Sequence, residues 1–338
     1  MTQKPLAFVA ELSGNHNGSL EKALEIVKLV SETGATHLKL QTYTADTITL
    51  PVSGGNFEIR TDHSLWGSRR LYDLYTEAHT PWEWHDPIFE LARELGLEVF
   101  STPFDETAVE FLENLNVEMY KIASIEIVDT PLIKLVASTK KPIVISTGTA
   151  SVSEIAKAVE AAREASDITL LVCTSSYPAK PEEANLARMD SLKNMFGVSV
   201  GLSDHTLGMG VSIAAVTLGA SMIEKHVTIS RLAGGVDSAF SMEPDEFKLL
   251  IESCNDASVA VGRPDAWRTE SESDSLRLRP SLHVVRNVLA GETVSKENVR
   301  SVRPAGGLEP VEEERIIGRV FANNYEMGTP VTWEIFRK

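Results

Sequence analysis

The chain has 338 residues, 43% of them hydrophobic, and a formal net charge of −16. That length supports one large domain with a small companion, and the acidic balance excludes general nucleic-acid binding, which depends on Lys and Arg neutralising phosphates. No run approaches the roughly 18 consecutive apolar residues of a membrane helix, Glu11 interrupts the N-terminal LAFVAEL too early for a signal peptide, and Cys173 and Cys254 alone offer no disulfide framework, so a reduced, cytoplasmic protein without a membrane partner is expected.

In chain order, short apolar runs read as strands at 6–10 (LAFVA), 37–40 (HLKL), 97–100 (LEVF), 119–122 (MYKI), 143–145 (IVI), 168–172 (ITLLV), 198–201 (VSVG) and 221–223 (SMI). Between them lie amphipathic stretches such as 19–33, 81–95, 107–115, 151–165 and 210–218, with 243–261 closing the series. Eight strands alternating with helices over about 260 residues predict a (β/α)8 TIM barrel. A doubly wound open sheet fits the count as well, but no Gly-x-Gly-x-x-Gly follows the first strand. The barrel is expected over residues 1–263. A polar Ser- and Glu-rich linker follows over 264–280, and a small second unit over 281–338, too short to be stable without support from the barrel or a second subunit.

Each predicted strand ends in a polar cluster: Glu11 to Asn17, Gln41 to Tyr43, Ser101 to Pro103, Lys121 to Glu126, Ser146 to Gly148, Thr174 to Tyr177, Ser203 to His205, and Glu224 to His226. Barrel active sites are built from strand ends and the loops after them. The connection from 42 to 96 is unusually long and carries the aromatic segment HSLWGSRRLYDLY, the pattern of a lid or binding element. Trp66 and Tyr72 there could stack on a sugar, although core packing is the commoner fate of such residues.

His205 and His226 fall at neighbouring strand ends, where strands lie about 4.8 Å apart, so two imidazoles could share one ion. The alternative is two unrelated core histidines, as His16, His37, His63, His79, His85 and His283 are read in whole or in part. Lys39 and Gln41 share a face of the second strand. With Lys121, Ser124, Thr102, Ser146, Ser175 and Ser203 they would form a pocket for a phosphate or carboxylate. Glu11, Glu126 and Asp237 are candidates for proton transfer or sugar hydroxyls, and Glu224 alternates onto the side of His226 as a possible partner.

The segments AELSGNHNG, KLQT, FSTPFD, KIAS, STGT, TSSYPA, GLSDHT and EKH resemble, in order, the signature blocks of the sialic acid synthase family. VVRNVLAGETVSKENVRSVRPAGGL resembles that family's antifreeze-like (SAF) domain. LWGSRRLYDLYTEAHTPWEW and TSSYPAKPEEANL are most similar to the pseudaminic acid branch. The resemblance implies condensation of phosphoenolpyruvate with 2,4-diacetamido-2,4,6-trideoxy-L-altrose, the alternative being a mannose-type acetamido sugar leading to N-acetylneuraminic or legionaminic acid. It further implies a divalent metal ion on His205 and His226, manganese first with cobalt or magnesium behind it. Phosphoenolpyruvate would be held by Lys39, Thr102, Lys121, Ser124, Ser146, Ser175 and Ser203; at Ser175, relatives that use N-acetylmannosamine carry Asn. Gln41, Glu126, Tyr177 and Asp237 match sugar-contacting positions, and Glu11 matches a carboxylate at the reacting carbonyl. Arg303 matches an arginine supplied by the neighbouring subunit of a domain-swapped homodimer.

Overall fold

The structure is a computed structural model that describes residues 6–61 and 65–337; His63, read above as structural, and the first five residues lie outside the described residues. The chain divides into two compact units, residues 1–261 and 262–338.

In the first unit, β1 (Ala7–Glu11), β2 (His37–Thr42), β3 (Glu98–Pro103), β4 (Tyr120–Ile122), β5 (Ile143–Ser146), β6 (Ile168–Cys173), β7 (Ser199–Ser203) and β8 (Met222–His226) pair in sequence order into a closed barrel. β1 pairs in parallel with both β2 and β8, which closes the ring. All but β4 extend beyond the predicted C-terminal limit. Hydrophobicity marks where a strand is buried on both faces, whereas the ladder continues through Glu11, Gln41, Thr102, Ser146, Ser203 and His226 because those side chains line a cavity.

Alternation sorts the side chains. On β2, Leu38 and Leu40 join the apolar layer between sheet and helices, while Lys39 and Gln41 point inward. The helices Leu20–Ser31, His85–Glu94, Glu106–Asn114, Thr130–Ser138, Val152–Ala161, Arg188–Phe196, Gly210–Thr217 and Pro244–Ala260 form the outer ring. Local chemistry starts them: Asp105 accepts from the backbone N–H groups of Thr107 and Ala108, and Ser151 and Glu154 form a capping box. Inside the barrel, Val9, Phe100, Val144, Leu171 and Met222 fill the base. A Cβ on Gly201 would lie 2.4 Å from the Met222 carbonyl oxygen, so only glycine fits there. His37 sits at the start of β2, with Nε2 3.0 Å from Glu98, far from the polar strand ends.

The long connection between β2 and β3 is ordered into short helices, Ala45–Ile48 and Leu71–Ala78, and an antiparallel bridge between Glu58 and Arg70. In the second unit, β9 (Ser281–Val284) and β10 (Val299–Val302) pair antiparallel. A core of its own gathers Leu282, Val299, Ile316, Phe321, Val331 and Phe336. The stretch read as a linker carries two short helical turns, Glu270–Glu272 and Ser273–Leu276, exposed but for the half-buried Leu276. No helix among the described residues is long and apolar enough to cross a membrane.

Candidate active site

The C-terminal end of the barrel opens into a cavity of about 480 Å³, within the usual range for small-molecule sites. The barrel residues matched above to the metal, phosphoenolpyruvate and sugar all line it: Glu11, Lys39, Gln41 and Thr102; Lys121, Ser124, Glu126 and Ser146; Ser175, Tyr177, Ser203 and His205; and His226 with Asp237. Arg303 belongs to the second unit, where it is exposed just past the end of β10.

The floor is a buried network of opposite charges. Strand register places Glu11 beside His226 on one side and Lys39 on the other. The Glu11 carboxylate lies 3.0 Å from Lys39 Nζ and 3.2 Å from His226 Nε2, and it accepts the Gln41 amide at 2.7 Å. Burial opposes its charge, but His226, Lys39 and the Gln41 amide outweigh burial and hold the carboxyl well below the usual carboxylate range. Lys39 also lies 3.0 Å from Glu224, whose carboxylate accepts from Ser203 Oγ at 2.8 Å and faces Lys121 at 3.8 Å. Glu224 was expected beside His226; its observed partners are the two lysines and Ser203, because it sits one step deeper along β8. Lys121 donates to Ser146 Oγ at 2.6 Å and to the Ile122 carbonyl at 3.1 Å. Burial pulls its pKa below the ordinary lysine value, since Glu224 only partly offsets that cost and Lys39 adds to it. Lys39 goes the other way: burial is outweighed by Glu11 and Glu224. Two ammonium groups therefore face two carboxylates, and anion selectivity must come from the hydroxyls around them.

Those hydroxyls are poised for a ligand. Thr102 Oγ1 and Ser175 Oγ are buried and have no hydrogen-bond partner within the protein, a costly state unless a ligand or water completes it. Gly148 lies against Ser175 and its neighbour Ser124: its N–H donates to Ser124 Oγ at 3.1 Å, and a Cβ there would come within 2.4 Å of Ser175 Oγ.

The imidazoles of His205 and His226 stand 5.4 Å apart between ring centroids, beside Tyr177 and Phe240. His205 Nδ1 donates to the Thr174 carbonyl at 3.0 Å, so in the neutral ring Nε2 carries the lone pair. Burial lowers the His205 pKa, but Cys173 and the Thr174 carbonyl outweigh burial and hold it above the ordinary histidine value. Burial keeps the His226 pKa below the ordinary histidine value despite the pull of Glu11 and Asp237. Its Nδ1 is buried without a hydrogen bond, 4.0 Å from Asp237. Two imidazoles with an unfilled nitrogen fit a divalent ion of borderline softness. Among the described residues no group of three or more His, Cys, Asp or Glu is arranged around one point, so an ion there would draw further ligands from substrate or water, as open catalytic sites do.

Several site residues had no role of their own in the sequence reading, although Ser13 and Tyr43 fall inside its strand-end clusters. Ser13 takes a positive φ of 48° after β1, donates to Asp237 and accepts from Gln41. Tyr43 and Tyr75 line the cavity, whereas Tyr72 instead donates to Asp46. Cys173, given no role in the site from sequence, also lines it, with Sγ 3.8 Å from His205 Nδ1. Burial raises its pKa, but His205 and Ser124 bring it down to about 7. Only its position directly before TSSY hinted at this. His16 is buried, accepts the Gly18 N–H at Nδ1 and packs on Trp84.

A model of the NeuB family matches residues 26–266, and one of the SAF domain matches 279–337. The chain is 43% identical to a protein of Helicobacter pylori named pseudaminic acid synthase, over 97% of both chains. It is 36% identical to the N,N'-diacetyllegionaminic acid synthase of Legionella pneumophila, over 97% of this chain and 93% of that one. The crystal structure of N-acetylneuraminic acid synthetase from Leptospira borgpetersenii, in complex with citrate, superposes with a TM-score of 0.71 at 30% identity, covering 80% of this chain and 90% of that one.

Proposed function

The chain belongs to the NeuB family, and from that premise we propose that it is a pseudaminic acid synthase. It condenses phosphoenolpyruvate with 2,4-diacetamido-2,4,6-trideoxy-L-altrose and releases inorganic phosphate. The observation that carries the reaction class is the pairing, in one cavity, of unfilled anion donors at Thr102 and Ser175 with two adjacent imidazoles. The greater identity to the H. pylori synthase than to the legionaminic enzyme favours the altrose-type sugar.

In this reading Thr102, Ser124, Ser146, Ser175 and Ser203 hold the phosphate and carboxylate of phosphoenolpyruvate, with Lys39 and Lys121 behind them. Charge-assisted hydrogen bonds of this kind are about twice as strong as neutral ones. Gln41, Glu126, Tyr177 and Asp237 bind the open-chain sugar so that its aldehyde carbon meets C3 of the enol. A divalent cation, manganese first, would be held by His205 and His226 and would supply Lewis-acid polarisation of that aldehyde. C3 attacks the aldehyde, water adds at C2, and collapse of the tetrahedral adduct breaks the C–O bond to phosphate. Glu11, ionised and beside His226, can orient that water and take its proton. Holding both reactants together in reacting geometry can contribute up to about 7–11 kcal/mol toward the barrier.

Purified protein with phosphoenolpyruvate, manganese and each of three sugars tests this by phosphate release: the altrose derivative, N-acetylmannosamine and the legionaminic precursor. The altrose derivative is expected to give the highest kcat/KM; preference for either other sugar overturns the branch, and no release with any overturns the class. His205→Ala is expected to abolish turnover with the fold retained. Arg303, by its place in the SAF domain, would act on the site of a second subunit in a homodimer. Mixed inactive His205→Ala and Arg303→Ala subunits should then recover activity.

A further inference from the structure

The cavity has two unlike faces. Its floor is the charged network of Glu11, Lys39, Lys121 and Glu224, whereas the segment between β2 and β3 contributes a mainly apolar roof: Ile48, Ile59, Trp66, Leu71 and Leu74, with Tyr75 beside them as its hydroxyl-bearing member. No charged side chain among the described residues 44–96 lines the cavity. The roof is built rather than draped. Ile59 N–H donates to the Arg69 carbonyl at 2.9 Å and Ser68 N–H to the Ile59 carbonyl at 3.2 Å, on either side of the bridge between Glu58 and Arg70. Trp66 Nε1–H donates to the Val236 carbonyl at 2.9 Å, tying the segment to the connection after β8. Leu74 is buried on the short helix behind.

We propose that this roof reads the far end of the sugar as a methyl group, with Ile59 and Leu71 as its determinants, so that the enzyme selects 6-deoxy substrates. The inference rests on the sugar-condensing function above and adds the residues that set its specificity. The aldehyde end must reach the imidazoles and the enol at the floor, so the sixth carbon of an extended hexose lies at the roof. A methyl there removes apolar surface from water. A hydroxymethyl against Ile59 and Leu71 would lose its hydration beside two side chains that offer it no partner, and an unmade buried hydrogen bond is costly. An apolar pocket of this kind rejects an added hydroxyl by about a hundredfold at most.

The test compares kcat/KM for 2,4-diacetamido-2,4,6-trideoxy-L-altrose with that for its 6-hydroxy counterpart, in the wild type, Ile59→Ser and Leu71→Asn. The wild type is expected to prefer the 6-deoxy sugar by roughly 10- to 100-fold. At least one variant is expected to bring that ratio within about threefold, with the KM for phosphoenolpyruvate unchanged as the sign of an intact floor. A wild type indifferent to the 6-hydroxyl overturns the assignment alone, as does a preference that survives in both variants. Phosphate release from neither sugar overturns the functional reading, and the specificity assignment with it.

Discussion

Asp204 and Lys225 form an ion pair of 2.9 Å on the outer side of the barrel wall, each the immediate chain neighbour of an imidazole, His205 or His226, that faces the cavity. Both are almost wholly buried, and the pair is complete: Asp204 also accepts from Thr206 and Ser212, and Lys225 donates to the Thr206 carbonyl at 2.8 Å. The network clamps the end of β7 to the end of β8.

Removing one partner of such a pair strands a buried charge. Lys225→Met is therefore expected to destabilise the protein by about 3–5 kcal/mol, whereas Asp204→Asn combined with Lys225→Met should cost well under the sum of the single changes. Denaturant unfolding of the three variants measures this. Additive costs would show that the two side chains act independently.

Gly148 offers a cleaner probe of the anion donors than any serine. Its φ lies outside the left-handed region, so alanine is conformationally allowed, but the new Cβ would sit 2.4 Å from Ser175 Oγ and 2.7 Å from Ser124 Oγ. Gly148→Ala is expected to raise the KM for phosphoenolpyruvate about 10- to 100-fold, the equivalent of one or two lost hydrogen bonds to a charged ligand. An unchanged KM would move the anion away from these two hydroxyls.

The sequence made the barrel and the polar rim legible for one reason: strand ends that face a cavity need not be apolar, so chemistry shows where periodicity stops. Glu11, Lys39 and His226 could be placed on one face by counting in twos. Their partners could not. Glu224 shares the inward face with His226, yet depth along β8 pairs it with Lys39, Lys121 and Ser203 instead. The roof was legible as a long connection but not as a wall, because Ile59, Leu71 and Leu74 look like any core residues until the chain folds over the mouth. Ser13 and Cys173 were hidden for opposite reasons: one reaches the site through a positive-φ turn, the other through a strand that runs one residue past its apolar run.

Glu126 should make stability depend on pH. Burial pushes its carboxyl up to about 7 from the ordinary 4.5, against the opposing pull of its own backbone N–H and Lys121. Between those values the folded protein keeps a proton that the unfolded chain has released, so stability falls as pH rises through that window and levels off above it. Glu126→Gln is neutral at every pH. Its urea midpoint relative to wild type is expected to rise between pH 4.5 and about 7 and then hold constant. A constant difference across the window would mean the carboxyl titrates normally.

Glu11→Gln separates chemistry from anion binding. Glutamine keeps the shape and can still meet Gln41, but the floor loses one of two carboxylates while keeping both lysines. Lys39 is then left with Glu224 as its carboxylate partner and has more of its field available to phosphoenolpyruvate, so KM for that substrate should stay level or fall. Water activation is lost at the same time, because an amide does not take a proton at neutral pH, and general-base removal typically costs about 10²–10⁴ in rate. Steady-state kinetics should therefore show kcat down by at least about a hundredfold with no rise in the KM for phosphoenolpyruvate. A variant that keeps its kcat but binds phosphoenolpyruvate poorly would make Glu11 a structural brace for Lys39 and remove it from the proton transfer.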